Sequence, residues 1–305
     1  MAAPIGTRET YDSGPGARDG KSAGIREDLS NIIYNISPED TPFMSGIGKS
    51  SCDNTLFEWQ IDTLSDASDN TLVEGDDATI IPVDEMTRVS NWTQISGKTV
   101  QTSGTAEAVD FAGRKSTHAY QVAKRAKELK LDMEKMLLSS EGGSAGASGT
   151  PRKTKAVGAW ITTTSQPAGV VGIEDDIRVT MENCWEAGAK PNILMVDGPT
   201  KQAISEMAQT VSPLQTTANA ASPAHVVAAV DIYVSDFGNL KIVPNRLMPL
   251  GVGYFLDYEF WDIAYLRPFM THDLARTGDS ESQQLLVEYG LRSKNEAASA
   301  QVTGW

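Results

Sequence analysis

The sequence predicts an α+β fold that combines a projecting β-hairpin, one long helix and a mixed α/β unit. Apolar and polar residues alternate in TLFEWQIDTL, which begins at Thr55, and this alternation is typical of a β-strand. Between Phe111 and Leu138, apolar residues recur at steps of three and four, which indicates a long amphipathic helix. Helical and strand patterns then alternate from residue 157 to 255, as expected of an α/β unit.

Composition limits the classes of protein to which the chain can belong. With 305 residues, 40% of them hydrophobic, the chain can bury one large core or two smaller ones. It contains no run of about 18 apolar residues and no apolar signal-peptide centre near its start, so we expect no membrane association and synthesis in the cytoplasm. The formal net charge of -14 argues against binding of nucleic acid by a broad basic surface.

The N-terminal region predicts an arm followed by a short helix. Residues 1–28 are rich in Gly, Ser and mixed charge, which cannot form a core and favours an extended segment that a partner orders. The stretch IREDLSNIIYNI then places isoleucine and leucine at helical spacing, and Pro38 ends this predicted amphipathic helix.

The stretch SPEDTPFMSGIGKS ends in Gly48-Lys49-Ser50, the residues that close a phosphate-binding loop. Phe43 occupies the position of the first glycine of that motif, and prolines precede it where a buried strand is needed. We therefore interpret the stretch as a turn that Phe43 and Met44 anchor on apolar surface.

The hairpin is predicted from two extended segments, TLFEWQIDTL and RVSNWTQISGKTVQTSGT, that flank a long acidic tip. Alternation along the first segment places Phe57 and Trp59 on one face. The tip contains Glu74, Asp76 and Asp77, but it lacks the ligand spacing of a calcium-binding loop. We predict that these acids are solvated or pair with another subunit.

The predicted long helix, residues 111–138, has an apolar stripe and two surface ion pairs. Its stripe contains Val122, Ala126, Leu129, Met133, Met136 and Leu137. The pairs Lys124/Glu128 and Lys130/Glu134 are each four residues apart and are predicted on the exposed face. The helix is followed by SSEGGSAGASGTPRK, which is predicted to be a flexible loop.

The α/β unit begins with a helix in EDDIRVTMENCWEAGAKP, which ends at Gly188. Its predicted buried stripe consists of Ile177, Met181, Cys184 and Trp185. The strand NILMV, the helix TKQAISEMAQ and the strands VVAAVDIYVSD and LKIVPN follow. GYFLDYEFWDIAYLRPFM and SQQLLVEYGLRSKN are predicted strands that return to the long helix and the hairpin.

No pattern of catalytic or ligand residues stands out in the sequence. Cys52 and Cys184 are far apart, no C-x-x-C occurs and the three histidines are scattered. The tripeptide Asp236-Phe237-Gly238 lacks the other kinase motifs and is interpreted as a turn between strands. We therefore predict no catalytic residue, no cofactor and no metal site, and hence no enzyme.

Several separated segments resemble, in the same order, the major capsid proteins of tailed bacteriophages with the Hong Kong 97 fold. They are SPEDTPF, FEWQIDTL, TRVSNWTQISGKTVQTSGTAEAV, QVAKRAKELKLDMEKMLL, WEAGAKPNILMVDGPTKQAIS, VSDFGNLKIVPNRLMP and WDIAYLRPF. The resemblance implies an N-terminal arm at 1–50, an extended E-loop hairpin at 51–90 and a P-domain at 91–156 with spine helix 111–138. It also implies a mixed α/β A-domain at 157–255 and a C-terminal return to the P-domain at 256–305.

The resemblance implies a structural function in the virion. Copies of the chain are expected to assemble into pentamers and hexamers that form an icosahedral shell around double-stranded DNA, without sequence-specific binding. Expected partners are a portal, decoration or cement proteins, and a separate scaffolding protein, since no long scaffolding region precedes the arm. The alternatives are an encapsulin-like nanocompartment shell and, from another class, a nucleotide-binding enzyme that uses Gly48-Lys49-Ser50.

On this interpretation, inter-subunit contacts are expected along the hairpin. Its apolar strand face would pack on another chain, and its acidic tip would pair with basic groups of a neighbour. The predicted contact residues are Phe57, Trp59, Glu74, Asp76, Asp77, Arg114, Lys115 and Lys124.

Overall fold

A computed structural model of the chain describes residues 40–64, 67, 69–71, 74–75, 77, 85–110, 115–167, 169, 172–211 and 231–305. The predictions for residues 1–39, for Asp76 and Arg114, for the first turn of the predicted long helix and for the strand before Asp231 lie outside these residues. The helices are α1 (Pro42–Gly46), α2 (Gly104–Ala108), α3 (Thr117–Leu137), α4 (Val157–Trp160), α5 (Ile173–Glu186) and α6 (Gly198–Val211). The strands are β1 (Gly48–Ser51), β2 (Leu56–Ile61), β3 (Thr87–Trp92), β4 (Gln94–Ser103), β5 (Ser165–Pro167), β6 (Ile193–Val196), β7 (Ile232–Ser235), β8 (Gly238–Pro244), β9 (Val252–Leu256), β10 (Trp261–Asp273), β11 (Ser280–Ser293) and β12 (Ala300–Thr303).

Within the described residues, the strands form three sheets. A four-stranded sheet has the order β1-β10-β11-β4, a six-stranded sheet has the order β5-β12-β9-β6-β8-β7, and β2 and β3 form a two-stranded hairpin. Both larger sheets are mixed, because β1 is parallel to β10 and β6 is parallel to β8 while other neighbours are antiparallel. The predicted α+β class is confirmed.

Two apolar cores lie on opposite faces of the six-stranded sheet. The first core fills the space between this sheet, α3 and the four-stranded sheet, and it contains Met133 and Met195. The second core lies under α5 and α6 and contains Ile177 and Leu194. Because Leu194 and Met195 are adjacent on β6, their side chains enter different cores, which explains why NILMV is apolar without alternation.

The long helix is confirmed as α3, but it begins at Thr117. Lys115 and Ser116, which were predicted to be helical, precede it, so this part of the prediction is wrong. The Ser116 hydroxyl accepts a hydrogen bond from the Ala119 amide at 3.1 Å and caps the helix. The Glu107 carboxylate accepts two more from the amides of Thr117 and His118. A helix of 21 residues is about 31 Å long.

Neither predicted surface pair on α3 forms as expected. Glu128 lies 2.6 Å from the Arg125 guanidinium and 3.5 Å from the Lys98 ammonium of β4, which takes the place of Lys124. Glu134 is fully buried, so it does not pair with Lys130 at the surface. Packing of α3 against β4 and α1 decides both partners, and the spacing within the helix does not reveal either.

The predicted second strand of the hairpin is in fact two strands that belong to different sheets. β3 pairs with β2, and β4 pairs with β11. The change of sheet occurs at Thr93, whose buried hydroxyl donates a hydrogen bond to Glu288 at 2.9 Å. The hairpin is therefore continuous with the four-stranded sheet through one residue.

The segment 139–156 is ordered, contrary to the prediction of a flexible loop. Ser144 and Lys153 form an antiparallel bridge within it. The Thr154 hydroxyl accepts hydrogen bonds of 3.0 Å from the Leu291 amide and from the Asn91 side chain. The segment is thus fixed to β11 and to the hairpin by polar groups that are distant in the sequence.

The α/β unit has the predicted order of elements, with two corrections. Ile177, Met181 and Cys184 of α5 are buried, but Trp185 is 55% exposed and does not belong to the buried stripe. The expected return of 256–305 to the sheet beside α3 holds for β10 and β11, whereas β12 pairs with β5 and β9 in the six-stranded sheet.

Candidate functional site

The base of the hairpin is covered by its own chain. The rings of Phe57 and Trp59 stack with centroids 5.6 Å apart, and Trp59 lies 5.5 Å from the ring of Trp160. Phe57 is only 8% exposed and lies against Gly290 of β11. At this end of the hairpin, the cover that the sequence analysis expected from another subunit comes from the same chain.

The outer part of the hairpin is exposed. Leu64 is 97% exposed and Met86 is 59% exposed, and these residues follow β2 and precede β3, where the two strands lead away from the sheet. Glu74 and Asp77, the described members of the predicted acidic tip, are also exposed. Side chains as apolar as Leu64 and Met86 gain free energy if another surface covers them.

The basic residues that were expected to meet this tip lie on and beside α3. Lys115 immediately precedes the helix cap, and Lys124 lies on the exposed side of the helix, as do Lys130 and Lys135. A contact between these lysines and the acidic tip of another copy can form only when subunits assemble.

A buried carboxylate, Glu288, joins the hairpin to the four-stranded sheet. It is 3% exposed and lies 2.6 Å from the Arg152 guanidinium and 2.8 Å from that of Arg267. The hydroxyl of Thr93 also donates a hydrogen bond to this carboxylate. Such a set satisfies a charge that would otherwise be costly to bury, and it fixes three separate parts of the chain.

A second buried carboxylate, Glu134, joins α3 to α1 and to the six-stranded sheet. It accepts hydrogen bonds from the amides of Phe43 at 2.8 Å and Met44 at 2.9 Å, and from the side-chain amide of Asn245 at 2.8 Å. Burial raises the pKa of Glu134 above its ordinary value, while the hydrogen bonds from Met44, Phe43 and Asn245 oppose the increase. Sequence reasoning missed this role because Glu134 has the spacing of a surface pair.

Exposed apolar side chains also cluster at the edge of the six-stranded sheet. Ile232 and Val234 of β7 are 62% and 72% exposed, and among the described strands β7 has a neighbour on only one side in this sheet. At the turn after β7, Phe237 lies 5.6 Å from the ring of Trp185. An exposed edge strand with apolar side chains is a typical place for contact with another chain.

The geometry does not fit a nucleotide-binding loop. Gly48, Lys49 and Ser50 lie in β1, paired parallel with β10, and not in a loop that leads into a helix. Among the described residues, no group of three or more His, Cys, Asp or Glu could hold a metal ion. No described helix is long and apolar enough to cross a membrane.

Comparison by sequence matches almost the whole chain to one family. The family described as "SU10 major capsid protein" matches residues 6–305. The chain is also 28% identical to a major capsid protein of Escherichia phage Phieco32, over 90% of this chain and 93% of the relative.

Comparison by structure gives the same kind of neighbour. A chain of the Cyanophage A-1(L) capsid has a TM-score of 0.69 at 11% identity and covers 92% of this chain and 96% of its own length. A Mycobacterium phage Bobi chain has a TM-score of 0.65 at 10% identity, with 99% of both chains covered. An encapsulin complex from Synechococcus elongatus has a TM-score of 0.56 at 10% identity and covers 92% of each chain.

Proposed function

The chain belongs to the SU10 major capsid protein family, and from this membership we propose that it assembles into pentamers and hexamers that close as an icosahedral shell around packaged double-stranded DNA. It is a phage major capsid protein with the Hong Kong 97 fold, and its role is structural, as a self-associating subunit of the virion shell. The family match over residues 6–305 is the observation that carries the proposal.

The proposed division of the subunit follows the family fold. The arm is 1–50, the E-loop is 51–90, the P-domain is 91–156, the A-domain is 157–255, and 256–305 returns to the P-domain. The hairpin β2–β3, the helix α3 and the six-stranded sheet support the three central units. The position of β12 adds residues 300–303 to the A-domain in this proposal.

Subunits are proposed to bind each other through surfaces that one chain leaves uncovered. The exposed side chains of Leu64 and Met86 support a contact at the outer hairpin, and those of Trp185 and Val234 support one at the six-stranded sheet. Head-to-tail contacts between two different surfaces of a subunit form closed rings, such as pentamers and hexamers, when the rotation between neighbours closes.

The acidic tip of the hairpin is proposed to pair with basic residues of a neighbour, namely Arg114, Lys115 or Lys124. Exposure of Glu74 and Asp77 at the tip, and of Lys115 and Lys124 near α3, supports this proposal. Pairing of opposite charges would fix the position of the hairpin on the neighbour more than it would add affinity. In this proposal Phe57 and Trp59 contribute through the hairpin base, which they hold in place.

The pairing can be tested by charge reversal with a rescue. Glu74→Lys is expected to lower the yield of shells, most strongly at low ionic strength, because screening weakens exposed charge pairs. Lys124→Glu or Lys115→Glu in the same chain should restore part of the yield. Glu259→Lys makes the same change of charge at an exposed position outside the residues proposed for contact and is the control. Shells of Glu74→Lys that form as readily as wild type at low salt would contradict the pairing.

The remaining partners are proposed from the family alone. They are a separate scaffolding protein, a portal and decoration or cement proteins, and synthesis is placed in the host cytoplasm. The net charge of -14 supports a shell that encloses DNA without binding it tightly. No catalytic residue and no cofactor form part of the proposal.

The assembly itself is tested by electron microscopy of the expressed protein, with and without a scaffolding partner. We expect closed shells or regular capsomers. Persistent monomers that hydrolyse a nucleotide would contradict the proposal and favour an enzyme. An encapsulin-like shell is the second candidate, because an encapsulin shares the fold at a TM-score of 0.56. Particles from infected cells that contain cargo protein in place of DNA would favour it.

A further inference from the structure

Glu134 lies where three parts of the subunit meet. It belongs to α3, its carboxylate accepts hydrogen bonds from two amides of α1, and it accepts a third from Asn245 at the end of β8. Asn245 is itself fixed, because its backbone amide donates to the Val196 carbonyl at 2.9 Å. Both carboxylate oxygens are therefore occupied by donors from outside α3.

The contacts of α1 make its position depend on this carboxylate. Phe43 is fully buried, with its ring 6.4 Å from Trp261 and 6.2 Å from Tyr258. Thr41, at the N-cap position of α1, makes no capping hydrogen bond. Two of the amides at its start would be left without an intrahelical partner, and the Glu134 carboxylate supplies the acceptor for both.

The described chain begins at Asp40, two residues before α1. Beyond it, the chain enters β1, which pairs with β10. The path from the N-terminal residues into the sheet is thus fixed on one side by β1 and on the other by the bonds to Glu134.

We propose that Glu134 is a positioning residue for shell assembly, which holds Pro42–Gly46 against both α3 and the six-stranded sheet and so fixes the base of the proposed N-terminal arm. This inference rests on the proposed function, in which that arm is ordered by a neighbouring subunit. The carboxylate acts through the amides of Phe43 and Met44 and does not itself touch another subunit.

The hydrogen-bonding role of Glu134 can be tested separately from its packing. Glu134→Gln keeps the size of the side chain but replaces one acceptor oxygen by an NH₂ donor. One of the three donors must then face another donor. Asn245→Asp places a second carboxylate beside Glu134, and the double variant restores a donor and an acceptor between positions 134 and 245.

Hydrogen exchange of the unassembled subunit reads the two amides directly. In Glu134→Gln, the remaining carbonyl oxygen is expected to keep accepting from Phe43 and Asn245. Exchange at Met44 should then accelerate by roughly tenfold or more, since its amide loses a hydrogen bond to a charged group and faces the NH₂ group. Amides of β11 should change much less. In Glu134→Gln/Asn245→Asp, the remaining carbonyl oxygen should protect Met44 again, while the NH₂ group faces the carboxylate introduced at position 245 and leaves Phe43 unprotected. Glu128→Gln makes the same chemical change on the same helix at a half-buried position and should leave both amides unchanged.

Assembly is measured on the same variants by sedimentation. Folded Glu134→Gln subunits should form fewer or irregular shells, and Glu128→Gln should assemble like wild type. Unchanged exchange at Met44, or accelerated exchange with normal shells, would overturn the inference. So would a general acceleration across the subunit that the double variant does not reverse. If wild type itself forms no shells, the proposed function fails, whereas the exchange of the two amides still tests the contact.

Discussion

Asn91 connects three segments that are far apart in the sequence. Its side-chain NH₂ donates to the Thr154 hydroxyl at 3.0 Å and to the Leu291 carbonyl at 2.6 Å, and its carbonyl oxygen accepts from the Lys155 amide at 2.9 Å. Together with the carboxylates Glu134 and Glu288, it shows that buried polar side chains set the relative positions of the elements. Because each is fully satisfied, loss of one partner would leave buried groups unpaired, which costs more than the bond itself contributes.

Glu296 provides a test of this principle by pH. Burial raises its pKa, but hydrogen bonds from Thr163 and Thr162 outweigh burial and hold the pKa of Glu296 below its ordinary value. A lowered pKa stabilises the folded state above the unfolded pKa of about 4.3, and this stability is lost as the pH falls through the folded pKa. Glu296→Gln should therefore lower the free energy of unfolding by about 1 kcal/mol at neutral pH, and the difference from wild type should shrink below about pH 4.

The measurement is chemical denaturation of the unassembled subunit at a series of pH values. Glu182→Gln makes the same substitution at an exposed position of α5 and serves as the control. A difference between Glu296→Gln and wild type that stays constant down to about pH 3, below the unfolded pKa, would contradict the role of the ionised group.

At the scale of elements, the sequence predicts what local pattern encodes. The stripe on α3 and the alternation in β2 each follow from the spacing of apolar residues, and both elements form, although α3 begins later than predicted. The break at Thr93 is not visible, because 88–103 has one continuous β pattern and only Glu288, 195 residues away, marks the change of sheet. The order of the segment 139–156 is hidden for the same reason, since its composition is that of a loop while its partners are distant.

The site residues likewise fall into those that the sequence predicts and those that it does not. Exposure of Glu74, Asp77 and Lys124 could be predicted from charge and turn composition. The cover of Phe57 by its own chain could not, because it depends on the absence of a side chain at Gly290 on another strand.

The close approach of Phe57 to Gly290 predicts that this contact holds the hairpin against β11. A Cβ atom at position 290 would lie 2.4 Å from the Phe57 ring, so the ring or the strand must move. Gly290→Ala should lower the free energy of unfolding by about 1–3 kcal/mol. Phe57→Leu in the same chain should give a combined cost smaller than the sum of the two, as expected of residues in contact.

Denaturant unfolding of the unassembled subunit measures these costs. Gly142→Ala is the matched control, because a Cβ atom there meets nothing within 4 Å. Equal effects at positions 290 and 142 would show that the hairpin does not depend on this contact.

At the scale of the whole molecule, the six-stranded sheet separates the two apolar cores and contributes side chains to both. Its one face packs towards α3 and the four-stranded sheet, and its other face packs under α5 and α6. A change in either core therefore alters the other through shared strands such as β6. The exposed apolar residues Ile232 and Val234 lie on β7 at the edge of this sheet, and Leu64 lies on the outer hairpin, where they add little to the stability of one chain.

Substitutions of two tryptophans can distinguish effects on the stability of the subunit from effects on its assembly. Trp185 is 55% exposed and Trp160 is 6% exposed. Trp185→Ala should change the free energy of unfolding by less than about 1 kcal/mol but raise the protein concentration needed for assembly. Trp160→Ala should cost about 3–5 kcal/mol in the subunit itself.

Thermal unfolding and light scattering on both variants give the two quantities. If Trp185→Ala assembled at the same concentration as wild type, the contact between Trp185 and a neighbouring subunit would be excluded.

The parallel pairing of β1 with β10, and the place of β12 between β5 and β9, also bear on when the chain folds. In the two larger sheets, strands distant in the sequence are neighbours, so the first core cannot close until β11 has emerged from the ribosome and the second cannot close until β12 has emerged. Contacts of such long range form slowly, because the loops between them must close first. We expect a nascent chain to have no finished contact surface until β11 and β12 have both emerged.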